Sequence, residues 1–159
     1  MKKIILLLSS LFAVSILVSC QQNEEPKKTE TKATQHAFPR NNTATVASLK
    51  IEMLGIKAAE NSLPKHEKLE GKKLVKVDMR ISNMTEYEIP IAASLFKVLD
   101  SNGKYQTNYP MVDELGQTIV GNKEVRGVVY FVLPKNSAIE KIVYEDSRRD
   151  AFHEWTVEK

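Results

Sequence analysis

Few side chains in this sequence could carry chemistry, and none recurs at a spacing that fixes a reactive site. The single thiol is Cys20, so no intramolecular disulfide forms and a cysteine-built zinc site is excluded. The histidines His36, His66 and His153 stand far apart. Imidazoles hold zinc or copper only where several donors converge, and no His-x-His pair arranges that. Met53, Met79, Met84 and Met111 offer soft thioethers for copper, but Met53 and Met79 fall on apolar strand faces, where methionine ordinarily fills gaps. Asp113-Glu114 and the run from Asp146 to Asp150 supply carboxylates for acid/base work or calcium, with Arg148-Arg149 placed to compensate the second group. No Gly-x-Ser-x-Gly, glycine-rich phosphate loop or His-Glu-x-x-His occurs. Three function classes remain. The first is a binding module that is not an enzyme and needs no cofactor. The second is a small-ligand or copper/zinc carrier using Met84, Met111 or the histidines, and the third an envelope hydrolase built on Asp113 and Glu114. The missing triad or metal pattern ranks the binding module first.

The thiol has a further meaning from its surroundings. Residues 1–20 read MKKIILLLSSLFAVSILVSC: two lysines, an apolar run from Ile4 to Val18, then small residues. This is the three-part layout of a secretory signal. The run falls short of the roughly 20 apolar residues that cross a bilayer. Leu17-Val18-Ser19-Cys20 resembles the bacterial lipobox, in which the cysteine receives a diacylglyceryl group and becomes the first mature residue. The resemblance implies removal of residues 1–19 and a membrane partner held through lipid on Cys20.

Charge narrows the partners. The chain of 159 residues has 23 basic and 20 acidic side chains, a formal charge of +3. Loss of Lys2 and Lys3 with the signal leaves 21 against 20, and from Val46 onward the count is 17 against 17. A neutral domain lacks the single-sign field on which nucleic-acid affinity rests, so DNA and RNA are excluded as partners. Residues 20–45 are polar and mixed in charge, with Phe38 the one large apolar group. Such a composition buries too little to offset chain entropy and reads as a linker. It would span roughly 25 to 30 Å between lipid and domain.

From residue 46 to 159 the hydrophobic period is two, the mark of half-buried antiparallel strands. Val75, Val77, Met79 and Ile81 alternate with Lys76, Asp78 and Arg80; Ala47, Leu49, Ile51 and Met53 alternate with Ser48, Lys50 and Glu52. Further strands are expected at 87–91, 94–99, 117–120, 125–133, 138–144 and 152–157. Turn residues separate them, among them Asp100-Ser101-Asn102-Gly103 and Pro134-Lys135-Asn136. About eight short strands in ~115 residues predict an all-β, two-sheet sandwich whose apolar core needs no disulfide.

Three segments carry a family resemblance. Gly71 to Asn83 is a glycine followed by an alternating strand and an asparagine turn. Leu99 to Tyr105 is a central hairpin. Gly121 to Pro134 keeps Gly127, Val129, Phe131 and Pro134 in step. Together they resemble the immunoglobulin-like lipoprotein domain catalogued as domain of unknown function 4352, with Val120 standing where that family commonly has proline. The resemblance implies an immunoglobulin-like sandwich on the outer surface of a Gram-positive membrane, similar to small secreted mycobacterial sandwich proteins. That family has no established catalytic residues to carry over.

The strand at 125–133 is apolar on both sides. Val125, Gly127, Val129 and Phe131 are expected inward. Arg126, Val128, Tyr130 and Val132 then form a second face, either covered by a neighbouring segment or open to an envelope or surface protein. Tyr105 and Tyr109, with Pro110 and Met111, form a second candidate surface on a loop.

Overall fold

A computed structural model describes residues 41–64 and 67–158. Leu17, Val18, Ser19 and Cys20, and with them His36 and His66, lie outside the described residues. Ten strands follow one another: β1 (Thr43–Val46), β2 (Leu49–Ala58), β3 (Lys72–Asn83), β4 (Ile89–Ala92), β5 (Phe96–Asp100), β6 (Tyr105–Thr107), β7 (Gly116–Ile119), β8 (Glu124–Pro134), β9 (Ile139–Asp146) and β10 (Ala151–Thr156). One sheet has the order β1-β2-β3-β8 and the other β10-β9-β5-β6, with β4 and β7 paired as a short ribbon. The sheets are antiparallel throughout and enclose one apolar core. The protein is an all-β sandwich, as its periodicity predicts.

The period of two decides which side chains fill that core. From β3 come Val75, Val77, Met79 and Ile81, and from β8 Val129, Phe131 and Leu133. Phe96, Val98, Ile142, Tyr144 and Trp155 answer from the other sheet. Met53 and Met79 sit directly opposite in register, both fully buried. Full burial of a side chain of this size contributes about 1.5 to 3 kcal/mol. Phe96 and Tyr144 meet at 5.2 Å between ring centres in a tilted pair.

Two short strands were hidden in the sequence. β1 begins at Thr43, three residues before the expected domain start, because Ala44 and Val46 pack on the core while Thr43 and Thr45 face out. Four residues with two small apolar groups give too weak a pattern to separate from a polar linker. β6 is three residues long and pairs with β5. Its hairpin turns on Gly103 at φ 74°, the one member of the Asn102-Gly103 pair with positive φ. Buried Asp100 organises that turn, accepting the Asn102 N–H at 2.9 Å, the Lys104 N–H at 3.1 Å and the Gln106 amide at 2.9 Å. Burial opposes its ionisation, but these three donors outweigh it and hold the carboxyl below its ordinary pKa.

Ala47, expected on a strand, lies in the two-residue β1–β2 turn. Ala47 and Ser48 both adopt positive φ, 44° and 66°. Such hairpins favour Asn-Gly because a Cβ is strained there. The double substitution Ala47→Asn with Ser48→Gly should therefore raise stability by about 1 kcal/mol. The check is a higher urea midpoint at unchanged slope; an unchanged midpoint would contradict the strain.

Candidate functional site

The outer face of β8 is covered. Of the two readings of this face, covered by a neighbouring segment or open to a partner, the first holds: Tyr130 is 1% exposed and centres a second apolar cluster with Ala59 and Leu74. Leu63 and Leu69 close over it from the β2–β3 connection, and Tyr109 and Met111 from residues 108–115. Val128 and Val132 are half-buried in the same cluster, and of the four residues predicted on this face only Arg126 stays exposed. Residues 108–115 are fastened along the β8 edge, with the Tyr109 N–H donating to Tyr130 O at 2.7 Å and the Leu115 N–H to Val128 O at 2.8 Å. The Tyr130 hydroxyl donates to Asp113 Oδ2 at 2.9 Å. Burial, then the Asp113 contact, raises the phenol's pKa. Alternation reveals that a strand has two apolar faces; it cannot reveal that a distant loop covers one. Tyr109 is thus part of the cover. Tyr105 is exposed on β6, with Lys97 Nζ 5.1 Å from its ring centre.

On the inner side Gly127 admits that same segment. A Cβ there would stand 2.4 Å from Leu115 Cδ1.

The other predicted chemical groups do not assemble. Asp113 is occupied by Tyr130, while Glu114 Oε2 accepts from the Asn108 amide at 3.2 Å and from the Met111 N–H at 3.4 Å. Both carboxylates pin the covering segment. Met84 is exposed after β3, whereas Met111 packs in the Tyr130 cluster. Among the described residues no three His, Cys, Asp or Glu side chains converge on a point.

The carboxylate of Asp146, at the end of β9, is buried under two guanidinium groups. Arg148 Nε approaches Oδ1 at 3.3 Å and Arg149 Nε approaches Oδ2 at 2.8 Å. Burial opposes its charge, but the bonds from Arg148 and Arg149 prevail and keep its pKa below the ordinary value. Arg149 also donates to Tyr144 Oη at 2.9 Å and to Pro90 O at 3.3 Å, tying the β9–β10 turn to β4. The sequence pairing of Arg148-Arg149 with this acidic run is realised here as an internal lock.

A cleft of about 500 Å³ lies between β1 and β10, the outermost strands of the two sheets. Asn41, Thr43 and Thr45 line one side, and His153, Glu154 and Thr156 the other. His153 meets Trp155 edge-on, with ring centres 4.5 Å apart. The indole Nε1–H of Trp155 is buried and finds no acceptor. A buried donor without a partner is costly. The threonine hydroxyls and the Asn41 amide add donors and acceptors along the same wall. The sequence concealed this cleft because half of it comes from residues read as linker.

The sequence pattern of the family described as domain of unknown function (DUF4352) matches residues 38–151. The chain is a member of that family. The match takes in the first nine strands and the first residue of β10. The three segments that carry the resemblance to DUF4352 fall on β3, on the β5–β6 hairpin and on β8. Solved structures of the same fold include a Bacillus subtilis protein described as a lipoprotein (ycdA), 15% identical with TM-score 0.56, covering 72% of this chain. This DUF4352 chain spans only 38% of that one. The yjhA protein of Bacillus subtilis is 17% identical with TM-score 0.57, covering 76% of this chain and 98% of its own. A secreted Mycobacterium tuberculosis protein, MPT63, is 14% identical with TM-score 0.53, covering 72% of this chain and 89% of its own. No protein of curated function matches the sequence.

Proposed function

We propose that this chain is a lipid-anchored, extracytoplasmic binding module. Cys20 carries the diacylglyceryl group, and the sandwich serves an envelope or surface protein as an accessory, by binding and without catalysis. The observation that carries this reading is the β1–β10 cleft. Its volume suits a ligand or an extended peptide, and strand edges flank it on both sides, where a partner strand could add. Location outside the cytoplasm draws support from the lipobox, from the lipoprotein description of the ycdA relative and from the secreted MPT63. Among the described residues no helix is long and apolar enough to cross a membrane. The two Bacillus relatives favour a Gram-positive membrane as the site of the anchor.

In-cell photo-crosslinking tests the reading, with the probe at Thr156 in the cleft, at Tyr105 for comparison, and with Cys20→Ala as the unanchored form. One recurrent protein adduct from Thr156 that disappears in Cys20→Ala is expected. Adducts from Tyr105 alone would move the binding surface away from the cleft, and none from either probe would remove the protein partner. Labelled palmitate should enter the wild type and not Cys20→Ala; equal labelling would refute the anchor.

A further inference from the structure

We infer that a second contact holds the domain to the lipid bilayer, through the end of the sandwich that carries Met84, Tyr87 and Val120. This inference rests on the anchor at Cys20 proposed above. Six large apolar side chains are exposed among the described residues, and these three belong to one end, with exposures of 59%, 79% and 54%. The others, Tyr105, Val112 and Phe152, lie on β6, in the connection between β6 and β7, and on β10. Single exposed apolar residues are ordinary, whereas a group fixed at one end calls for a surface to meet it.

The end is rigid. Buried Asn83 donates its amide to Tyr87 O and to Ile119 O, and its Oδ1 accepts from the Thr85 N–H at 2.9 Å. The Met84 N–H reaches Ser48 O at 2.9 Å and the Asn122 N–H reaches Thr85 O at 2.8 Å. These bonds stitch the β1–β2 turn, residues 84–88 and residues 120–123 together. Gly121 passes so near that a Cβ on it would be 2.2 Å from Glu86 O. Held this way, the backbone carries the three side chains on the surface.

The size of the patch and the position of the tether identify the occupant. Three side chains cover far less than the roughly 800 Å² per partner of a stable protein complex. A weak contact suffices when a short linker holds the two surfaces at an effective concentration in the millimolar range. About 20 residues separate Cys20 from β1, and at most ~3.5 Å per residue they reach some 70 Å. β1 runs toward this end and is about 13 Å long, so the end lies well within reach of the bilayer. A tyrosine beside aliphatic groups is also the composition of the headgroup region. Lys50 and Lys123 against Glu86, Glu88 and Glu124 give no excess of positive charge there, so apolar burial carries the contact and zwitterionic lipid satisfies it.

The test couples the mature chain through its Cys20 thiol to a maleimide lipid in phosphatidylcholine vesicles containing brominated acyl chains. Trp155 is the one native tryptophan and is buried, so it supplies a constant background. With Tyr87→Trp, the added indole should be quenched roughly twofold as it enters the bromolipid region. With Tyr105→Trp it should keep its emission, and Met84→Ser with Val120→Ser should abolish the Tyr87→Trp quenching. Unquenched emission from coupled Tyr87→Trp protein would overturn the inference, as would equal quenching of Tyr105→Trp. Because coupling replaces the cell's own lipidation, a failed palmitate assay and a failed quenching assay are separate results.

Discussion

Asp146→Asn is expected to lower stability by about 3 to 5 kcal/mol at pH 7, since removing one member of a buried ion pair strands the others. Asp146 is 1% exposed and receives Arg148 and Arg149 on its two oxygens. Without its charge, the Arg149 guanidinium stays half-enclosed against Tyr144 and Pro90 with no counter-ion. Arg148→Ala should cost far less, because its side chain is 65% exposed and regains water. The pH dependence has a definite sign. Asp146 has a depressed pKa in the fold, so its contribution is complete above the unfolded value near 3.9 and is lost as pH falls through the lower folded value. Urea unfolding should show wild type and Asp146→Asn far apart at neutral pH and converging in acid. A gap that persists unchanged below both values would mean that shape, not charge, explains the loss. Asp100, also buried and depressed, adds to the same acid sensitivity.

Tyr130→Ala is expected to cost about 3 to 5 kcal/mol, the range for emptying a large buried aromatic site. Its ring joins Leu74 and Ala59 below to Leu63, Leu69, Tyr109 and Met111 above, so the cavity would open beneath both covering segments. Tyr130→Phe keeps the ring and loses only the bond to Asp113, whose exposed carboxylate water can serve; about 1 to 2 kcal/mol should follow. Hydrogen exchange separates the two substitutions. In Tyr130→Ala the amides of Tyr109 and Leu115 should lose protection, while in Tyr130→Phe they should keep it. Equal loss in both would give the hydroxyl, not the ring, the task of holding residues 108–115.

These predictions also mark where the sequence was readable. Val75, Val77, Met79 and Ile81 declared their strand and its inner face, because a sheet with one wet side imposes alternation. Gly103 marked its hairpin through the backbone geometry that glycine permits. The outer face of β8 was visible as apolar, but its cover comes from Leu63 and Leu69 on one side and Met111 on the other, and no local pattern links such distant segments. Asp100, Asn83 and Asp146 looked like ordinary turn residues. Their burial follows from tertiary packing and left no trace in period or composition. The β1–β10 cleft was missed because β1 contributes four residues, two of them threonines, at the end of a polar stretch.

The pairing of β3 with β8 also bears on the order in which the chain takes shape. Partners in that ladder lie 42 residues apart for Ser82 and Glu124, and 62 apart for Lys72 and Pro134. A chain delivered amino end first can form the β1–β2–β3 meander early, yet one long edge of β3 then stays unpaired until residue 134 has emerged. Closure so distant in sequence is slow, and an open apolar edge invites the wrong partner in the meantime. The sandwich therefore closes late, as the last third of the chain arrives.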